Sequence, residues 1–85
     1  MKNDKIIKAL KNTIRTSYSN FNTYKDDIPF FTSARAEYYN MVRACCITNY
    51  NMLVEMESQG LIDYRQLCLL DRYNDRVKWV YFYSV

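Results

Sequence analysis

The chain of 85 residues contains one glycine, Gly60, and one proline, Pro29. Average usage is roughly 7% and 5%, and small β folds place such residues at every turn. Scarcity of turn formers therefore predicts few, long elements. A chain this short holds one core at most, and 49% hydrophobic against 25% charged residues is a globular balance. These facts predict a single helical domain over residues 1–85: all-α, a small three-helix bundle with a long central helix.

The first helix is expected over about 4–18. Ile6, Ile7, Leu10 and Ile14 recur with helical spacing, and Lys5, Lys8, Lys11 and Arg15 recur at three and four on another face. Asn3 or Asp4 is placed to cap it. Residues 1–15 carry five cations and one acid, whereas the rest of the chain is nearly neutral, so the net charge of +3 comes from this one helix. A connection over 19–33 follows, with Asn, Ser, Thr, Asp26-Asp27 and Pro29 breaking the periodicity. Phe21, Tyr24, Phe30 and Phe31 are available to pin it to the core.

A second helix is expected over about 34–59. Glu37, Asn40, Thr48, Asn51, Glu55 and Ser58 form one narrow polar stripe, and apolar residues cover most of the rest, Tyr38 to Met56 among them. So much apolar circumference predicts burial by neighbours on more than one side or by a partner chain. Gly60 is suited to the left-handed C′ position, with Leu61 placed for the accompanying apolar contact.

Asp63 with Gln66 then reads as an Asp capping box, and Ile62 with Leu67 as the hydrophobic staple. Leu67, Leu70, Tyr73, Val77 and Tyr81 predict a third helix over about 63–78, with Asp71, Arg72, Asp75 and Arg76 as its solvated side. Residues 79–85 read as an aromatic tail. The alternative is α+β: the β-branched and aromatic run Val77 to Val85 suits a strand, so that Leu67–Leu70 and Val77–Tyr83 form a C-terminal β-hairpin and a winged-helix-like fold.

Much chemistry is excluded. Without histidine, catalytic triads and most zinc sites are absent, and one glycine cannot build a phosphate loop. The carboxylate pairs Asp26/Asp27, Glu55/Glu57 and Asp71/Asp75 are better read as solvated faces than as acid/base pairs. Cys45, Cys46 and Cys68 lack zinc-site spacing and sit in apolar stretches, so packing is their expected role. Three cysteines with no secretory leader predict a reducing, cytoplasmic setting, and no apolar run approaches the length of a membrane span. Neither catalytic residues nor a metal or cofactor is expected, and the chain reads as no enzyme.

What remains is binding. Trp79, Tyr81, Phe82 and Tyr83 crowd the last seven residues, and with Arg72 and Arg76 they are the residue types of interface hot spots. The leading expectation is a small interaction protein that engages a protein partner through these side chains. The competing reading has the same rings close the small core. The alternative function is nucleic-acid binding by Lys5, Lys8, Lys11 and Arg15, or by a winged-helix-like C-terminal half. Self-association as a homodimer through residues 38–56 is a further expectation. Phe, Tyr, Met, Ile, Asn and Lys make up 37 of the 85 residues, which points to an A/T-rich genome. Small size and the want of motifs then suggest a phage or mobile-element inhibitor that occupies a host protein such as a defence factor.

Overall fold

A computed structural model describes residues 3–19 and 33–83, with backbone alone at 33–35 and 81–83. The described residues form three helices: α1 (Asp4–Ser19), α2 (Ser33–Ser58) and α3 (Tyr64–Tyr83). The connection expected over 19–33, with Phe21, Tyr24, Phe30, Phe31 and Asp26-Asp27, lies outside the described residues from position 20 to 32.

Helix α1 starts where the Asn3 carbonyl accepts the Ile7 amide at 2.9 Å. The Asn3 side chain reaches across the molecule and donates to Gln66 Oε1 at 3.3 Å, so the first turns of α1 and α3 lie side by side. At the far end of α1, Tyr18 donates to Asn74 of α3. The two helices therefore run in parallel, and the tight turn after Ser58 sets α2 antiparallel to both.

That turn follows the sequence signals closely. Gly60 takes φ 76°, the left-handed region in which a side chain is strained. Its amide donates to the Glu57 carbonyl and the Leu61 amide to the Met56 carbonyl, each at 3.0 Å, the bond pair of a Schellman motif. Leu61 nevertheless stays exposed, and the next residue, Ile62, is the one buried. Asp63 and Gln66 exchange two bonds of 2.8 Å, amide to side chain in both directions, which closes the capping box. Ile62 and Leu67 both enter the core.

The core lies along the line where the helices meet: Leu10, Ile14 and Tyr18 from α1, Tyr38, Val42 and Leu53 from α2, and Leu67, Leu70 and Val77 from α3, with Ile62 at the turn. Helix α3 packs extensively on both neighbours, and α1 and α2 touch each other least. This corrects one of the two expectations for the middle helix, that its neighbours bury it on more than one side. α2 is the longest element, but it is buried along one side only, and Met41, Ile47, Tyr50 and Val54 stay exposed. The physical reason is economy of cover. Helix α3 packs on both α1 and α2, whereas α1 and α2 share little contact, so α2 is covered chiefly along the side that meets α3.

The C-terminal expectations are also corrected. α3 continues to Tyr83, so residues 79–83 are helical and no extended tail begins at 79. The β-hairpin alternative, and with it the winged-helix-like fold, is not supported: the described residues contain no strand. β propensity in residues 77–83 is overridden because Leu67, Leu70, Asn74 and Val77 recur at three and four and all find burial. A well-capped helix that buries each of these positions outweighs a local preference worth at most about 1 kcal/mol.

Candidate interaction surface

The interior of the bundle contains a polar seam that ties all three helices together. Tyr18 is fully buried and its hydroxyl donates to Asn74 Oδ1 at 2.7 Å. Asn49 Nδ2 donates to the same oxygen at 3.1 Å and to Ser17 Oγ at 2.9 Å. Asn74 Nδ2 in turn donates to the Cys46 carbonyl at 3.0 Å. No buried polar side-chain atom among the described residues lacks a partner, the condition under which a buried network specifies a fold rather than weakening it. Burial pushes the Tyr18 phenol far above its ordinary value, and burial likewise raises the Cys46 thiol. Both stay protonated across the physiological range. The seam fixes how the helices sit, and thereby what each turns outward.

On the side where α3 meets α1, cations converge. Lys11, Arg72 and Arg76 line a groove of about 290 Å³ together with Leu69 and Tyr73, and the Lys11 ammonium lies 5.5 Å from the centre of the Tyr73 ring. The groove has the walls of an anion site: one flexible ammonium, two guanidinium forks and an aromatic floor. A shallower depression of about 340 Å³ on the outer face of α1 is lined by Lys5, Lys8, Ala9, Asn12 and Arg15. The basic surface thus extends from α3 across α1.

Along α3 itself, Arg65, Leu69, Arg72, Arg76 and Trp79 follow one another at steps of four, three, four and three, and every one is exposed. This spacing places them in a single ridge on the outer face of the helix. Trp79 exposes 54% of its surface and its neighbour Val80 57%.

The residues expected from sequence therefore sort as follows. Arg72, Arg76 and Trp79 share the α3 ridge, and Lys11 joins the two arginines across the groove. Lys5, Lys8 and Arg15 lie exposed on α1. Tyr81, Phe82 and Tyr83 occupy the last turn of α3, and their side chains lie outside the described ones. Arg65, Leu69 and Tyr73 were not foreseen as site residues. Continuing the Arg72–Arg76–Trp79 spacing backward from position 72 finds Leu69 and Arg65, whereas Tyr73 enters only because α1 packs beside it.

The opposite flank of α3 is of another character. Asp75 accepts from Cys46 Sγ at 3.6 Å and pairs with Lys78 at 3.3 Å. Asp71 lies one turn earlier, and burial, followed by the charge of Asp75, raises its carboxyl. Tyr64 and Cys68 continue this side, and the neighbouring Cys68 thiol raises the Tyr64 phenol. The three cysteines are half-buried thiols, and among the described residues no group of three or more Cys, Asp or Glu side chains is placed to hold a metal ion. None of the described helices is long and apolar enough to cross a membrane.

Comparisons with family models, curated proteins and solved structures yielded no match. The surface itself therefore carries the functional argument.

Proposed function

We propose that this chain is a non-enzymatic interaction protein that engages an acidic protein surface through the outer face of α3 and the groove α3 shares with α1. The observation that supports the reading is the ridge Arg65, Leu69, Arg72, Arg76 and Trp79, five exposed residues in helical register with three guanidinium groups among them. Trp and Arg dominate measured binding hot spots, and an exposed helical row of them is the arrangement a partner can cover in one contact. The guanidinium forks favour carboxylates over neutral groups, which sets the charge of the partner. On this reading the protein works by occupancy, as an inhibitor of a cytoplasmic host protein would, including one encoded by a phage or mobile element. Self-association of two copies through α2 belongs to the same proposal.

A second reading, nucleic-acid binding, is favoured by one observation: Lys11 of α1 meets Arg72 and Arg76 of α3 across a single groove, with Lys5, Lys8 and Arg15 beyond it. Such a track suits phosphates as well as carboxylates.

Affinity capture from bacterial lysate, with and without nuclease, tests the two together. The proposal expects one protein to be retained after nuclease treatment and lost with both Trp79→Ala and the double variant Arg72→Ala, Arg76→Ala. Capture that disappears with nuclease, and that weakens steeply with salt, replaces it with the nucleic-acid reading.

A further inference from the structure

Among the described residues nine large hydrophobic side chains are exposed, and five of them lie away from the α3 ridge in one region: Ile47, Tyr50 and Val54 on α2, Leu61 in the turn and Tyr64 at the start of α3. Tyr50 lies near enough to Tyr64 to contribute a little to the rise of the Tyr64 phenol. Ile47 exposes 57% of its surface and Tyr64 70%. Among the described residues no element covers this flank, because α1 packs on the far side of the core and touches α2 least.

The row has an internal symmetry. Arg43, Ile47, Tyr50, Val54 and Glu57 follow at steps of four, three, four and three, the spacing of a helix-pairing seam. Arg43 stands seven residues before Tyr50 and Glu57 seven residues after it. Seven residues are two turns, so the cation and the acid fall on nearly the same side of the helix, each roughly 10 Å along the axis from the central ring. A surface with a cation at one end, an acid at the other and apolar groups between is its own complement when rotated by half a turn about its middle. Self-complementarity of this kind is what a two-fold interface between identical chains requires.

We infer that the α2 helices of two copies of this chain pair antiparallel about a two-fold axis at Tyr50, with each Arg43 opposite the partner's Glu57 and Ile47 packed against the partner's Val54. The pairing rests on the self-association proposed above and specifies its face and its direction. A parallel pairing sets Arg43 against Arg43 and Glu57 against Glu57, two like-charge contacts where the antiparallel one makes two attractive ones. The α3 ridge is left uncovered on each copy, so the dimer presents two partner-binding surfaces.

Sedimentation velocity on the full chain at increasing concentration tests the inference. The wild-type chain is expected as a dimer. Ile47→Glu is expected as a monomer with unchanged helical circular dichroism, since position 47 is exposed in the single chain. Arg43→Glu alone and Glu57→Arg alone each reverse two symmetry-related pairs, expected to weaken dimerisation about tenfold. The double variant, Arg43→Glu with Glu57→Arg, restores it. A wild-type chain that stays monomeric at every concentration overturns self-association altogether. A dimer that survives Ile47→Glu overturns the face, and one whose double variant stays as weak as the single ones overturns the antiparallel register. Capture of the acidic partner through Trp79 is read separately, and its loss leaves these outcomes unaffected.

Discussion

The two flanks of α3 carry opposite charge although their residues alternate in the sequence. Toward α1 stand Arg72 and Arg76, facing Lys11 across the groove. Toward α2 stand Asp71 and Asp75, the latter held by Cys46 and Lys78. The source of the sorting is a dipeptide used twice: Asp71-Arg72 and Asp75-Arg76 lie four residues apart. Neighbours on a helix point about 100° apart and residues four apart point nearly alike, so the repeat becomes one acidic row and one basic row. A tract that is electrically balanced by count is polarised across the helix. Helix α1 adds its lysines to the basic side and α2 its apolar stripe to the acidic side.

That contrast is open to experiment, beginning with the buried residue at which the three helices are tied together. Asn74 is fully buried and bonds Tyr18, Asn49 and the Cys46 carbonyl. Asn74→Ala leaves several buried polar groups unpaired and is expected to cost about 3 kcal/mol in urea unfolding. A cost below about 1 kcal/mol is inconsistent with a seam that orders the three helices. Next in size, Arg72→Glu with Arg76→Glu is expected to weaken partner binding about a hundredfold by calorimetry. The opposite-flank variant Asp71→Asn with Asp75→Asn is expected to leave binding within about twofold. Equal losses from the two pairs would erase the functional distinction between the flanks.

Alkaline pH probes the α2 side and the seam. The Cys46 thiol and the Tyr18 phenol, ordinarily near 9 and 10, are both raised in the folded chain, chiefly by burial. The unfolded chain therefore releases these protons first. Stability is fully present below the ordinary thiol value and falls as pH rises past it, by at most about 1.4 kcal/mol per pH unit for each proton released. Unfolding curves that stay level from pH 8 to about pH 11 would contradict their burial. The smallest expected effect is on the acidic row. Asp71 is raised by burial and then by Asp75, so its ionised form is disfavoured in the fold. Asp71→Asn is expected to gain a few tenths of a kcal/mol at neutral pH, read as a small rise in Tm, and the gain vanishes in acid once the carboxyl is protonated.

Much of this architecture was legible residue by residue. The start of α1, the Gly60 stop and the Asp63–Gln66 box involve partners within a few positions of one another, and local geometry determines their bonds. The ridge on α3 was partly legible, because Arg72, Arg76 and Trp79 share helical spacing. The groove was not, because Lys11 and Arg72 are 61 positions apart and only packing brings them together. The seam was hidden for the same reason. Asn49 reads as a polar interruption of an apolar helix, and Asn74 as one more polar residue in a charged tract. The strand-like composition of residues 77–83 misleads in the other direction, since it records what those side chains prefer alone.

From its residues by themselves, then, this chain determined its helical class, the ends of its helices on either side of the Gly60 turn and the concentration of positive charge in α1, because caps, glycine φ and periodicity act over a few neighbouring positions. Only the assembled bundle decided which helix packs most extensively on the others, where Tyr18, Asn49 and Asn74 find their partners, and which flank of α3 becomes basic or acidic and apolar. Those outcomes depend on contacts between residues tens of positions apart, and burial at such contacts is a property of the packed chain rather than of any segment.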